Sequence, residues 1–210
     1  GVLALDHVDF ELEKGEVHAL MGENGSGKST LMKCLTGIYQ IDSGTIEAFG
    51  KQIEMKDVNV SINNGISLVH QELAVNDQLT VAENIYMGRE FRNRFGLLDR
   101  KSMNKAAQQI LDSMGVEINA QERVGNLSNA QKQSVEIGKA ISNDAKILIL
   151  DEPTAILTDR EVDKLFTLIR EFKKSGMSII YISHRMDEIF QIADRITVLR
   201  DGEMMGTKPV

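Results

Sequence analysis

The sequence predicts an α/β fold: a mostly parallel sheet flanked by helices, with a small antiparallel β region and an inserted helical lobe. Three observations predict it. Short apolar runs such as Ile147-Leu148-Ile149-Leu150 and Ile179-Ile180-Tyr181-Ile182 have the length and composition of buried strands. Segments with apolar residues at three- and four-residue steps separate such runs, so successive strands are joined by helices and run parallel. Between two β-α blocks, from about 72 to 142, the pattern is helical throughout, which sets a helical subdomain against a core of about 1–70 and 144–210 in one 210-residue domain.

The elements follow in order. Residues 3–21 alternate and end in Val17-His18-Ala19-Leu20-Met21, with Lys14-Gly15 as a turn, so two strands are expected, the second running into a glycine-rich loop. A helix from about Lys28 to Gly37 turns Leu31, Met32 and Leu35 inward and carries Cys34 as a small buried apolar residue. Short strands are expected at 45–49 and 66–69, separated by the turn Phe49-Gly50-Lys51. In the helical stretch Met103, Ala106, Ala107, Ile110, Leu111 and Met114 form one face, and Gly115 ends it. Strand 146–150 leads to helix 159–174, which opens with the capping box Thr158/Glu161, buries Val162, Leu165, Phe166, Ile169 and Phe172, and closes at Gly176. Strand 178–182, helix 185–193 and a hairpin turning at Asp201-Gly202 complete the order.

Composition narrows the function. A net charge of −7 and a pI near 5.2 argue against a surface that binds nucleic acid by neutralising phosphates. The single cysteine cannot form an internal disulfide, which fits a reducing compartment. No apolar run approaches the ~20 residues of a membrane-spanning helix. The opening Gly1-Val2-Leu3-Ala4-Leu5, soon interrupted by Asp6, does not read as a signal peptide. Any membrane contact is therefore expected through a protein partner.

Gly22-Glu23-Asn24-Gly25-Ser26-Gly27-Lys28-Ser29 matches G-x-x-x-x-G-K-[ST] and sits between a strand and a helix. The glycines let the chain turn tightly, so successive N–H groups point inward at phosphate oxygens, and the helix N-terminus adds partial positive charge. Lys28 is expected to reach the terminal phosphates and the Ser29 hydroxyl to bind Mg²⁺. With this loop the fold is expected to be a P-loop nucleotide hydrolase core. The strand at 147–150 ends in Asp151-Glu152, at the C-terminal edge where parallel sheets bind ligands. In that place Asp151 would hold the metal shell and Glu152 would act as general base on water; taken alone, two adjacent acids are ordinarily solvated. Gln71 and His184 also follow strand ends and could reach the terminal phosphate or the water, although a lone histidine is usually structural. Leu127-Ser128-Asn129-Ala130-Gln131 opens a helix, with Ser128 and Gln131 spaced as a capping box.

The loop at 22–30, Gln71, the 127–131 segment, Asp151-Glu152 and His184 occur in the order of ATP-binding cassette (ABC) ATPases, which the chain resembles over essentially its whole length. More narrowly it resembles the N-terminal half of the tandem ATPase of bacterial monosaccharide importers, of ribose or galactose/methyl-galactoside type. The segments Val69-His70-Gln71-Glu72-Leu73, Leu79-Thr80-Val81-Ala82-Glu83-Asn84-Ile85, Tyr181-Ile182-Ser183-His184-Arg185 and Leu199-Arg200-Asp201-Gly202 carry that likeness, and Gly88-Arg89-Glu90-Phe91-Arg92-Asn93-Arg94-Phe95-Gly96 tilts it towards ribose.

The resemblance implies ATP and Mg²⁺ bound by Gly22, Glu23, Asn24, Gly25, Ser26, Gly27, Lys28, Ser29 and Thr30. Ser29, Gln71 and Asp151 would serve the metal; Glu152, His184, Gln71 and Lys28 would serve hydrolysis. It implies a second cassette, tandem half or identical copy, packed head to tail, so that Ser128, Asn129, Ala130 and Gln131 reach the partner's nucleotide. It further implies transmembrane permease subunits docked near Leu73 to Ile85, a periplasmic sugar-binding protein acting indirectly, no nucleic acid, and a place at the cytoplasmic face of the bacterial inner membrane. The sequence departs from the family pattern in two places. Asn129 and Ala130 stand where the signature has glycines, and Ala155-Ile156-Leu157-Thr158 stands where Ser-Ala-Leu-Asp is usual. The adenine-stacking aromatic is expected just before Gly1. Two alternatives stay open: a regulatory or weakly hydrolysing half of a tandem protein, and a non-transport ABC ATPase.

Overall fold

The computed structural model describes residues 3–210. Strand β1 (Val17–Met21) sits inside a six-stranded sheet with β4 (Ile66–Val69), β5 (Ile147–Asp151), β6 (Ser178–Ile182), β7 (Arg195–Arg200) and β8 (Glu203–Pro209), in the order β4-β5-β6-β1-β7-β8. All neighbouring pairs are parallel except β7 with β8, the hairpin that turns at Asp201-Gly202. Side chains alternate across the pleat, so β5 and β6 must be apolar on both faces if both faces are covered. They are. Leu148, Leu150, Ile179 and Tyr181 pack with Phe166, Ile169 and Phe172 of α6 (Asp159–Lys174). On the other face Leu20, Ile149, Ile180 and Ile182 pack with Leu31 and Met32 of α1 (Lys28–Leu35).

The stretch between β4 and β5 has its own apolar centre. Val81, Ala82 and Ile85 of α3 (Val81–Ile85), Met103, Ala107 and Leu111 of α4 (Arg100–Ser113), and Val135 of α5 (Asn129–Ile141) meet there. α3 begins with a reciprocal capping box, in which the Thr80 hydroxyl accepts from the Glu83 N–H and the Glu83 carboxylate accepts from the Thr80 N–H. Among the described residues no helix is long and apolar enough to cross a membrane.

The structure departs from expectation in four respects. Residues 3–13 form no strand: Val8, Phe10 and Leu12 do turn apolar side chains towards the core around Leu20, but their backbone has no ladder partner among the described residues, and the Asp6 N–H finds only the Gly202 carbonyl. The turn at Phe49-Gly50 is real, yet it joins two short strands, β2 (Glu47–Ala48) and β3 (Lys51–Gln52), paired with each other and not with β4. A short helix, α2 (Val58–Asn63), was not expected. It carries no strong apolar stripe and is set up by Asp57, whose carboxylate accepts from the N–H groups of Asn59 and Val60 at 2.7 and 3.1 Å. The last helix, α7 (Met186–Ile192), falls one residue short of expectation at each end.

Phe166 is 1% exposed and meets the Tyr181 ring edge-on, with centroids 6.1 Å apart. Phe166→Ala is expected to cost about 3–5 kcal/mol of stability, read as a lower urea midpoint at unchanged m-value. Phe190→Ala, at a ring 65% exposed, should leave the midpoint almost unmoved.

Candidate functional site

The parallel register brings the ends of four strands to one edge. Ile182 lies opposite Asp151 on one side and Leu20 on the other, and Val69 lies opposite Leu150. Two strand spacings therefore separate the end of β1 from Asp151, about 10 Å, a gap that a phosphate group and a metal ion can fill. Gly22, Asp151-Glu152, His184 and Gln71 all leave the sheet at this level.

The loop after β1 is shaped by steric need. A Cβ on Gly22 would lie 2.3 Å from the Leu199 carbonyl oxygen and 2.4 Å from Ser26 Oγ, while Gly25 and Gly27 hold φ values of +84° and +104°. No side chain caps α1 at Gly27, so the first-turn N–H groups stay available to an anion. The buried Lys28 side chain folds back across the loop and donates to the carbonyl oxygens of Gly22 and Glu23 at 2.8 and 2.9 Å. The Ser26 hydroxyl is buried without a partner among the described residues. Asn24 and Ser29 are exposed, and Thr30 is half-buried.

The opposite wall is acidic. Burial, and then the neighbouring Glu152, push the Asp151 carboxyl above its ordinary pKa, while His70, Lys28 and Lys33 pull it down. Glu152 sits in the left-handed region at φ +44°, held by its N–H donating to the Ile182 carbonyl at 3.0 Å. Its Oε1 lies 3.0 Å from His184 Nδ1, and since an ionised carboxylate only accepts, Nδ1 is the donor. A contact across 32 residues of sequence thus joins two of the expected groups. Gln71 is exposed in the bend that follows β4. The oxygen donors available here, Ser29, Asp151 and the Gln71 amide, suit a hard cation such as Mg²⁺, which takes one or two carboxylates alongside substrate phosphates.

Ser128, Asn129, Ala130 and Gln131 lie apart from this edge, at the start of α5. The capping box is formed: the Gln131 N–H donates to Ser128 Oγ at 3.3 Å and the Ser128 N–H to Gln131 Oε1 at 3.0 Å. Asn129 and Ala130 are ordinary first-turn helical residues without positive φ, so the glycine departures carry no backbone strain here. Ser128, Ala130 and Gln131 line one side of a cleft of about 830 Å³, and Leu157, Glu161 and Lys164 line the other. None of residues 22–29 lines this cleft.

Sequence reasoning missed His70, which lies close enough to bear on both Asp151 and the buried Glu136. It also missed the buried group of Thr154, Tyr181, Ser183 and Glu188, which adjoins the acidic wall. No local motif marks that group, because its members meet only once β6 and α7 are in place.

A family model described as ABC transporter matches residues 5–155. The chain is 52% identical over 206 residues to the ribose import ATP-binding protein RbsA of Bacillus licheniformis, covering 98% of this chain and 42% of that protein. It is 49% identical over 210 residues to the galactose/methyl galactoside import ATP-binding protein MglA of Escherichia coli K12, covering all of this chain and 41% of that protein. The chain thus spans less than half the length of these relatives. Among solved structures, a nucleotide-free ATP-binding cassette from an ABC transporter matches with a TM-score of 0.86 at 26% identity, covering 98% of this chain and 85% of that one. An ADP-bound cassette of an ABC transporter matches with a TM-score of 0.86 at 28% identity, over 99% of this chain and 85% of that one.

Two outcomes are expected of the site. Gly22→Ala should collapse the loop, whereas Gly25→Ala, with open space around it, should cost only the ~1–2 kcal/mol of a left-handed alanine; thermal unfolding separates them. Folding raises the pKa of Asp151, so its ionised form opposes folding once the pH exceeds that raised value. Asp151→Asn should accordingly raise the thermal midpoint of the unliganded protein at pH 7. The gain should shrink as the pH falls through the folded pKa towards about 4, the unfolded value. A gain constant with pH would contradict this.

Proposed function

We propose, from the premise that the chain belongs to the ABC transporter family, that it binds ATP and hydrolyses it to drive import of a monosaccharide, most closely a ribose-like sugar, through a membrane permease. One observation carries the reading: the loop bearing Lys28 and the joined Glu152–His184 pair leave the same edge of one sheet, across a gap that a phosphate group and a metal ion can fill together. The two import relatives support the substrate class.

In this reading the triphosphate takes the place of the loop carbonyls on Lys28, and the α1 amides hold the β- and γ-phosphate oxygens. Bound Mg²⁺, held by Ser29, Asp151 and Gln71, would supply positive charge to the phosphate oxygens. Glu152 accepts a proton from the attacking water as its oxygen bonds to the γ-phosphorus and the bond to the ADP oxygen breaks. His184, donating to Glu152 Oε1, fixes that carboxylate and stands beside the γ-phosphate.

The cassette would work head to tail with a second one, tandem half or copy, whose nucleotide receives Ser128, Asn129, Ala130 and Gln131. The core at about 1–70 and 144–210 would clamp ATP while the helical lobe at about 72–142 and the Gln71 bend move permease subunits. A periplasmic binding protein would deliver the sugar from the other side, and the cassette would sit on the cytoplasmic face of the inner membrane.

In the full natural protein, Glu152→Gln should keep ATP affinity and slow turnover at least ~10²-fold. Normal turnover in that variant would remove Glu152 from the role of base. Lys28→Ala should abolish ATP binding in a filter or fluorescence assay; unchanged affinity would overturn the phosphate-loop assignment. A wild-type protein that binds ATP without turnover would favour the regulatory alternative.

A further inference from the structure

Glu188 is 1% exposed, and its carboxylate is fully engaged. The Thr154 hydroxyl is shared between its two oxygens at 2.8 and 2.9 Å, and the Tyr181 hydroxyl donates to Oε2 at 2.7 Å. Ser183 Oγ donates to Oε2 at 3.1 Å, and Arg185 Nη1 pairs with Oε1 at 2.7 Å. The Arg185 N–H in turn donates to Ser183 Oγ at 3.1 Å. Burial and the bond to Glu188 raise the Tyr181 pKa far above its usual value, so that hydroxyl remains a donor.

The partners of this carboxylate have a pattern. Thr154 stands two residues after Glu152, and Ser183 stands immediately before His184. Two loops, one after β5 and one after β6, are therefore tied to a single carboxylate set on α7. Glu152 itself is strained, at φ +44°; its N–H donates to the Ile182 carbonyl at 3.0 Å and its carbonyl accepts from the Ala155 N–H at 3.2 Å, so its own backbone bonds reach only the two loops in question. Strained residues keep their conformation only where their surroundings over-determine it. A buried acid costs desolvation, and an apolar side chain could fill the same volume. What an apolar side chain could not do is fix two hydroxyl-bearing loops relative to each other.

We propose that Glu188 is a positioning residue that holds the Glu152 carboxylate and the His184 imidazole in contact, by tying Thr154 and Ser183 to one point on α7. It touches neither nucleotide nor water in this role and acts through the two loops. The kinetic part of the inference rests on the ATPase reading; the geometric part does not.

The test uses the full natural protein with Glu188→Gln, Thr154→Val, which removes only the hydroxyl tether, and Thr154→Ser, which restores it. Thr154→Val and Glu188→Gln should lower kcat by about tenfold to a hundredfold, the scale of a misplaced reacting group, at unchanged KM and ATP affinity. Thr154→Ser should recover most of the rate. A crystal structure of Thr154→Val should show the 3.0 Å His184–Glu152 contact broken. If Glu188→Gln does not fold, Thr154→Val decides. The proposal is overturned if Thr154→Val keeps both that contact and the wild-type rate. It is equally overturned if all three variants, Thr154→Ser included, lose ATP affinity and rate in step. Should the unaltered protein not turn over ATP, the functional reading fails, while the crystallographic contact still decides the role of Glu188.

Discussion

A buried lysine ammonium and a partly buried carboxylate, Lys28 and Asp151, face each other at the C-terminal edge of a sheet with an apolar interior, and everything else in the structure serves that confrontation. Neither charge meets an opposite charge in a close ion pair among the described residues. Lys28 makes do with two carbonyl oxygens of its own loop, and Asp151 is held above its ordinary pKa by burial and by a second acid. A site built this way is costly when empty and favourable when a polyanion and a cation enter together, since each then neutralises a charge the fold has desolvated. The apolar strands β5 and β6 are the counterpart of that cost: covered on both faces, they fix where the two loops begin.

The acid next to Asp151 shows how local strain is recruited. Glu152 takes a left-handed backbone that costs a non-glycine residue about a kcal/mol or more. In exchange its side chain turns to meet His184 from the neighbouring strand end. Neighbouring residues on a strand would otherwise point to opposite faces. The break in the strand at Glu152 is what lets both acids serve one crevice. The buried group around Glu188 lies directly behind, where such strain has to be contained.

Much of this was legible in the chain. Strand 178–182 and helix 159–174 could be read to the residue, because apolar runs, the Thr158/Glu161 box and Gly176 mark them independently. The shape of the glycine-rich loop at 22–29 was legible because its residues are contiguous and its glycines mark the tight turns. The Glu152–His184 contact was not, since it depends on β5 and β6 being neighbours, and register between distant strands leaves no local mark. The same holds for Thr154 with Glu188. The reading of 3–13 as a strand failed for a related reason: alternation reports burial of one side, which Val8, Phe10 and Leu12 do achieve, but says nothing about a ladder partner. Asn129 and Ala130 stand where the family signature has glycines, and the backbone there is plain helix that either residue adopts.

One ligand is expected to bridge the two walls. Crystals of the protein grown with a non-hydrolysable ATP analogue and Mg²⁺ measure that directly. The result expected is the terminal phosphate between Lys28 Nζ and the Asp151 carboxylate, with the Lys28 contacts to Gly22 and Glu23 exchanged for phosphate oxygens and the Glu152–His184 pair facing the terminal phosphorus. An analogue bound elsewhere, or phosphates that leave Lys28 on its own carbonyls, would contradict the account.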